Sequence, residues 1–441
     1  MIGCASPARI ARAASGGTRV NEAERGGSVE EARPDAGAAA TQTDEPFELA
    51  PGFRAAATAC GLKPDGALDL ALIVADQPCT AAGVFTTNRV QAAPVLLDRE
   101  RLEREPERVR AVIANAGCAN ACTGPEGLED ARTMAALTAR GLDCEPGQVL
   151  VLSTGVIGRR LEMPKLERGI AQLTAGEGES GAAAAARAIL TTDTRVKLAA
   201  GSASIAGRTV SVRGFAKGSG MIHPRMATML AVLTTDAAIA PEPLQAALAA
   251  AVRRSFNRVS VDGDMSTNDT VLLLASGTAG FDGRPGLERF TATLTDCCVA
   301  LARQIARDGE GATRLIEIEV SGAASEDEAH QVGDAIARSS LVRTAIHGGD
   351  PNWGRILAAA GASGVAIDPV RLGLELGASG DAVMVVRDGL PVRHNQGSVE
   401  AAMRGDPVHI HLELGRGARA ATVWTCDLSA EYVAINAHYT T

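Results

Sequence analysis

Two kinds of hydrophobic spacing occur along this chain of 441 residues and predict a mixture of strands and helices. Short apolar runs bounded by turn-forming or charged residues are typical of buried strands. Four such runs occur in the first half, at Leu70–Val74, Ala93–Leu97, Ala111–Ala114 and Val149–Leu152. Helix-favouring segments lie between or after them, at Leu128–Ala139, at Gly181–Leu190 and from Pro241 to about Ser255.

The second half continues the same mixture of elements. The spacing predicts strands at Thr270–Leu274, Leu315–Val320, Val370–Leu376 and Val408–Leu414, and helices at Leu287–Arg307 and Val332–Ala345. The elements lack the regular strand–helix alternation of a doubly wound sheet. An α+β or layered α/β architecture is therefore predicted.

Composition narrows the class of protein. Aromatic residues make up only 2% of the sequence, so the core must consist mainly of Ala, Val, Leu and Ile. A net charge of −9 argues against nucleic-acid binding, which needs a basic face. The nine cysteines lack framework spacing, and the sequence shows neither a bilayer-length apolar stretch nor a secretory signal. These features predict a cytoplasmic enzyme with no membrane partner.

The first 44 residues differ from the rest of the chain. They are rich in Ala, Gly, Arg and Glu, and this composition predicts a disordered extension. Residues 1–20 contain Arg9, Arg12 and Arg19 but no acid, which faintly resembles a transit peptide. A wrongly assigned start codon would give the same picture.

The most informative segment is Ala216–Ala237, which reads AKGSGMIHPRMATMLAVLTTDA. Read alone, it is a glycine-rich turn before a buried element, because methionine clusters usually fill cores and threonine is common in strands. It is not a phosphate-binding loop, since Lys217 precedes the glycines instead of following them. Lys217 is still notable, because only four of the 43 lysines and arginines are lysines. A site that needs a compact positive charge with a tunable pKa favours lysine over arginine.

This segment resembles the signature of the ornithine acetyltransferase family, the bifunctional glutamate N-acetyltransferases of arginine biosynthesis. Other blocks resemble the same family in the same order, so the resemblance covers about residues 45–441. These blocks are Val84–Val95, Ala114–Gly124, Leu152–Gly158, Leu190–Thr194, Asp308–Thr313, Asp350–Leu357 and Asn436–Thr441.

The resemblance implies that the precursor is cut between Ala227 and Thr228 of the MATML motif. A threonine hydroxyl is a weak nucleophile at neutral pH and needs an adjacent base. Cleavage would give Thr228 its own α-amine, whose unperturbed pKa of about 7.7–8.0 suits that task. The implied reaction is a ping-pong transfer of an acetyl group from N2-acetylornithine to Thr228 and then to glutamate.

The resemblance also implies the other site residues. Thr154 and Gly155 follow a predicted strand and would stabilise the oxyanion, although an ordinary turn has the same composition. Substrate contacts carry over to Thr191, Lys217, Thr228, Glu310, Asn436 and Thr441. Thr191 has an alternative in its neighbour Thr192.

No metal or cofactor is expected for this transfer. His409 and His411 would share one strand face, but no third ligand lies nearby in the sequence. The resemblance leaves open whether acetyl-CoA is also a donor.

The family fold is a layered α-β-β-α sandwich with a smaller C-terminal α/β domain. It implies a domain at 45–309 that spans the cleavage point and a second domain at 310–441. The mature chains would be 1–227 (alpha) and 228–441 (beta), and two of each would form a heterotetramer.

The sequence departs from the usual family pattern at five positions close to these residues. Ala116 and Cys118 stand where serine and asparagine are common, Arg225 replaces a frequent asparagine, and His438 and Thr440 replace Asp and Arg. These changes bear on substrate preference and rate more than on the class of reaction.

Two alternatives use the same motifs differently. A self-cleaving aminopeptidase or amidase would have the same threonine but would let water resolve the acyl-enzyme. An inactive relative that only binds ligands would stay a single chain.

Overall fold

The computed structural model describes residues 47–223, 229–280, 286–378 and 380–438. The predicted extension at 1–44 therefore lies outside the described residues, as do Ala227, Thr228 and Thr441. In the described ranges, the helices are all too short or too polar to cross a membrane.

The described strands form two sheets. Nine strands make up the first sheet: β1 (Phe53–Thr58), β2 (Leu70–Phe85), β3 (Val109–Cys118), β4 (Val149–Val156), β5 (Glu179–Ser180), β6 (Lys197–Ile205), β7 (Arg208–Lys217), β8 (Leu230–Thr235) and β9 (Thr270–Ala275). Six strands make up the second sheet: β10 (Leu315–Ala323), β11 (Gly373–Leu376), β12 (Val383–Arg387), β13 (Leu390–Pro391), β14 (Val408–Glu413) and β15 (Arg419–Cys426).

The described α-helices lie between these strands along the chain, except α11, which follows β15. Six of them precede the second sheet: α1 (Ala93–Arg104), α2 (Gly124–Gly141), α3 (Met163–Thr174), α4 (Ala182–Ala188), α5 (Pro241–Arg254) and α6 (Leu287–Arg307). The others are α7 (Glu326–Ala337), α8 (Ser340–Gly348), α9 (Trp353–Gly361), α10 (Gln396–Met403) and α11 (Ala430–His438).

The first sheet has two halves because β2 is long enough to pair with strands of both. Residues 70–75 of β2 pair with β1 and β3, whereas residues 80–85 pair with β9. One half contains β4, β3 and β1, and the other has the order β9-β8-β7-β6.

Side chains alternate between the inner and outer faces of these halves. In β8, Leu230 and Val232 lie in the core between the halves, whereas Ala231 and Leu233 pack with α5 and α6. Successive side chains of β3 and β4 likewise point in turn to that inner core and to helices α1 to α3. The resulting order of layers is helix, sheet, sheet and helix, which confirms the predicted layered α/β sandwich.

The second sheet has the strand order β13-β12-β11-β14-β10-β15. Its core combines Ile318 and Val423 from the sheet with Val332 from α7 and Ile356 from α9. This core is separate from those of the first sheet.

The strand predicted at Ala93–Leu97 is wrong, because these residues begin helix α1. Pro94 occupies the first turn, where a missing N–H costs no hydrogen bond. A short apolar run does not distinguish a strand from the buried face of a helix, and here Val95 and Leu97 form such a face.

Two predictions in the second half also need correction. The helix predicted at Val332–Ala345 is divided between α7 and α8, because Ser339 begins a new helix by accepting the N–H of Val342 at 3.3 Å. The strand predicted at Val370–Leu376 starts only at Gly373, after a 3₁₀ turn at Pro369–Arg371.

Candidate active site

One pocket of about 300 Å³ brings together residues that are far apart in the sequence. It is lined by the ends of β4 and β7, the loop after α4, the segment before β9, the loop after α6 and helix α11. Every predicted site residue in the described part of the chain lines it: Thr154, Gly155, Thr191, Lys217, Glu310 and Asn436. The other predicted residues, Ala227, Thr228 and Thr441, lie outside the described ranges.

Thr154 and Gly155 lie near the end of strand β4, beside the parallel strand β3. Gly155 has a φ of +126°, and a Cβ at this position would lie 2.4 Å from the carbonyl carbon of Gly117. The positive φ and this close contact each exclude residues larger than glycine at position 155. The strand therefore places the buried Thr154 side chain and a glycine backbone side by side at the pocket wall.

Lys217 ends strand β7 and is only 2% exposed. Its ammonium donates to Thr191 Oγ1 at 2.8 Å and to Thr154 Oγ1 at 3.2 Å. The neighbouring Thr192 instead pairs with Ser219, with 2.7 Å between the two hydroxyl oxygens. Thr191 is thus the threonine of this motif that contacts Lys217.

Glu310 contacts Ser219 and Gly220 in the glycine-rich connection that follows β7. Its N–H donates to the carbonyl of Ser219 at 2.8 Å, and its Oε2 accepts from Asn436 Nδ2 at 2.8 Å. A Cβ at Gly220 would lie 2.4 Å from the Glu310 carboxyl carbon. Glycine at position 220 therefore allows this close contact.

Helix α11 packs tightly against the loop that carries Glu310. Gly311 has a φ of +69°, and a Cβ there would lie 2.5 Å from the backbone nitrogen of Tyr432. The Ser429 hydroxyl donates to the Gly311 carbonyl at 2.6 Å. These contacts fix Asn436 near Glu310.

The described chain resumes at Met229, immediately before β8. The Met229 N–H donates to Asp269 Oδ1 at 2.8 Å, and burial raises the pKa of Asp269 well above its usual range. The next residue, Leu230, is the register partner of Lys217. The two ends of the connection between β7 and β8 thus meet beside the pocket.

The segment before β9 supplies five lining residues that were not predicted from the sequence. They are Asp262, Asp264, Met265, Ser266 and Asn268. Asn268 is buried and donates to the carbonyls of Ala119 and Ser153 at 2.6 and 2.8 Å. A signal was available, because a dense run of polar residues directly precedes a buried strand here.

Three of the family departures lie in the described residues, and none of the three lines the pocket. Ala116 is the strand partner of Thr154, and the buried Cys118 lies within 3.2 Å of the carbonyl oxygen of Arg159. His438 is exposed at the end of α11, and Arg225 and Thr440 lie outside the described ranges. In the described part of the chain, no three His, Cys, Asp or Glu residues cluster as a metal site.

Known proteins resemble this chain over most of its length. The ArgJ family matches residues 54–441. The arginine biosynthesis bifunctional protein ArgJ of Thermosynechococcus vestitus is 46% identical over 411 residues, which are 89% of this chain and 97% of that protein.

Two solved structures also match parts of the chain. The crystal structure of arginine biosynthesis bifunctional protein ArgJ from Bacillus halodurans is 43% identical, covers 48% of this chain and all of its own chain, and has a TM-score of 0.46. Ornithine acetyltransferase from Mycobacterium tuberculosis, complexed with ornithine, is 43% identical and covers 40% of this chain and 92% of its own, with a TM-score of 0.36.

Proposed function

This chain belongs to the ArgJ family of arginine biosynthesis, and from that premise we propose that it transfers an acetyl group from N2-acetylornithine to glutamate. The observation that carries the proposal is the pocket, where six residues between positions 154 and 436 meet in one small cavity. Lys217 and Glu310 supply opposite charges within it. Such a combination suits amino-acid substrates, which carry charges of both signs.

Maturation of the precursor is the first step of the proposal. The Thr228 hydroxyl attacks the carbonyl carbon of Ala227, the bond to the Thr228 nitrogen breaks, and that nitrogen takes up the hydroxyl proton. Water then hydrolyses the new ester. The products are a carboxylate at Ala227 and a free α-amine at Thr228, which provides the base that the hydroxyl needs.

Covalent connectivity supports this role for Thr228. Thr228 precedes Leu230 by two positions in the sequence. Because consecutive Cα atoms are about 3.8 Å apart, covalent geometry keeps Thr228 close to Leu230. Leu230 is the strand partner of Lys217, which lines the pocket. The proposed nucleophile therefore belongs to a short connection that starts and ends at the site.

Acetyl transfer follows from the same arrangement. Thr228 Oγ bonds to the acetyl carbon of N2-acetylornithine while the α-amine takes the hydroxyl proton. Thr154 and the Gly155 N–H stabilise the oxyanion. As the intermediate collapses, the bond to the ornithine nitrogen breaks and that nitrogen receives the proton. The glutamate amine then attacks the acetyl-threonine ester in the reverse sense.

The two mature chains should stay together after cleavage. Strand β7 precedes the cleavage point and β8 follows it, and they pair over six residues in the middle of the sheet. Strand β2 pairs in the same way with β9. The proposed assembly of the alpha and beta chains is therefore held by sheet hydrogen bonds and a shared core. The family resemblance adds a second copy of each chain to this assembly.

Product analysis tests the proposed function. Purified protein given N2-acetylornithine and glutamate should form acetylglutamate and ornithine in equal amounts. Free acetate that accumulates equally well without glutamate would identify a hydrolase instead. The relatives are named bifunctional, so the proposal includes acetyl-CoA as a second donor, and the same assay with acetyl-CoA tests it.

Removal of residues 436–441 should change the fate of the acetyl group. Asn436 donates to Glu310, so its loss opens one wall of the pocket to water. An acyl ester survives between the two half-reactions only where bulk water is excluded. We expect the ratio of acetylglutamate to free acetate to fall.

The control for this truncation is Val433→Ala, because Val433 lies on the same helix and is 64% exposed. That variant should keep the ratio of the unchanged protein. A truncated protein with a normal ratio and normal turnover would show that the tail neither binds substrate nor shields the ester.

A further inference from the structure

Four buried charges of alternating sign extend from the pocket into the protein. Lys217 lies 3.9 Å from Asp193 Oδ2, Lys197 donates to Asp193 Oδ1 at 2.6 Å, and Lys197 also donates to Asp308 Oδ2 at 2.6 Å. Their side chains are at most 4% exposed. Buried charges are costly unless they are paired, and here the four compensate one another.

Asp193 is held firmly in this row. Its Oδ1 also accepts the N–H of Gly218 at 2.6 Å, and its Oδ2 accepts the N–H of Thr191 at 3.1 Å. Burial alone would raise the pKa of Asp193, but Lys217, Lys197 and these contacts lower it to about 2. The carboxylate is therefore ionised throughout the range in which enzymes work. Because Asp308 also pairs with Lys197, the charge of Asp193 is available to Lys217.

The Lys217 ammonium determines what two hydroxyl groups can do. It donates to the oxygens of Thr154 and Thr191, so neither hydroxyl proton can point towards the lysine. Among the described residues, neither hydroxyl donates a hydrogen bond. Both threonines line the pocket. With Lys217 charged, both are donors towards a bound substrate; a neutral amine could accept one of these protons instead.

We propose that Asp193 is a positioning residue: its carboxylate keeps Lys217 charged, and Lys217 in turn directs the hydroxyl protons of Thr154 and Thr191 into the pocket. Asp193 touches no substrate itself. The inference rests on the proposed acyl transfer, in which Thr154 donates to the oxyanion. It explains why the lysine is buried beside a carboxylate instead of extending into the pocket alone.

Several charged groups face Lys217, and their balance fixes the direction of the expected pH effect. They are Asp193, Lys197, Asp269, Glu310 and Lys63. Burial lowers the pKa of Lys217, and among its neighbours Asp193 opposes this most strongly. Lys197 and Lys63 act in the same direction as burial, whereas Asp269 and Glu310 support Asp193.

The test is the pH profile of kcat for Asp193→Asn, measured as acetylglutamate formation. The amide keeps the shape and one acceptor oxygen but removes the charge, so the pKa of Lys217 should fall. Lys217 then loses its proton at lower pH. The basic limb of the profile, where kcat falls as pH rises, should therefore move to lower pH by at least about one pH unit. Below the displaced limb, kcat should return towards the value of the unchanged protein.

Asp130→Asn is the matched control, because Asp130 is also a buried aspartate in an ion pair, at 2.7 Å from Arg160, but lies outside the pocket. The basic limb of the kcat profile of Asp130→Asn should stay at the pH of the unchanged protein. If Asp193→Asn lowers kcat by the same factor at every pH, Asp193 has only a structural role and the inference is overturned.

Should Asp193→Asn fail to fold, Lys217→Arg tests the step on which the inference depends, that the charge of Lys217 sets the basic limb. A guanidinium stays charged to above pH 12, so the basic limb should disappear from the measured range if Lys217 causes it. A limb that stays unchanged would overturn the inference. Failure of the proposed function itself would be distinct, since the unchanged protein would then form no acetylglutamate at any pH.

Discussion

Replacing Thr228 by alanine should leave the purified protein as one uncut chain of 441 residues with no acetyltransferase activity. The variant lacks the hydroxyl that attacks Ala227 and, in the mature enzyme, the oxygen that carries the acetyl group. The unchanged protein should instead give two fragments of nearly equal size, one of which begins at Thr228. A denaturing gel with intact mass and N-terminal sequencing separates these outcomes.

The matched control for this prediction is Thr228→Ser, which keeps a hydroxyl at the same position. It should retain part of both cleavage and transfer. Single-chain protein with full transferase activity, from either the unchanged sequence or the alanine variant, would contradict the self-cleavage mechanism.

Replacing Thr154 by alanine should lower kcat by about 10²–10³, because loss of one oxyanion donor typically has an effect of that size. The KM for N2-acetylornithine should change far less, since the oxyanion exists only along the reaction path. Steady-state kinetics at saturating glutamate measure both quantities.

Thr138→Ala provides the comparison for Thr154. Thr138 is also a buried threonine, but its hydroxyl donates to the Met134 carbonyl within α2, away from the pocket. The Thr138→Ala variant should leave kcat nearly unchanged. A normal kcat in Thr154→Ala would remove Thr154 from the oxyanion site.

The mixed α/β class could be predicted because strands with both faces buried give continuous apolar runs, as β9 does. Leu272 and Leu274 of β9 face the inner core, whereas Val271 and Leu273 face the helices. Helix α6, predicted at Leu287–Arg307, has these same bounds in the structure. Long periodic segments leave little ambiguity between the two kinds of element.

Short apolar runs and element boundaries were less predictable. Ala93–Leu97 contains strand-like spacing, yet tertiary packing and Pro94 favour a helix. The break between α7 and α8 depends on one serine cap. The proposed domain boundary between Gly309 and Glu310 stays a prediction.

The site could be predicted only in part. Resemblance to a family pointed to individual residues such as Thr191 and Glu310, but their meeting in one pocket depends on pairings across hundreds of residues. The contacts of Asp193 with Lys197 and Lys217 are likewise tertiary, although the scarcity of lysine in the sequence had drawn attention to Lys217. The roles of the pocket residues stay predictions.

The central claim is that Thr228 carries the acetyl group between the two substrates. Its most direct test is mass spectrometry of protein mixed with N2-acetylornithine, without glutamate, and quenched in acid. The peptide that begins at Thr228 should gain the mass of one acetyl group, and hydroxylamine or added glutamate should remove it. Continued transfer of acetyl groups while that peptide never carries one would contradict the mechanism.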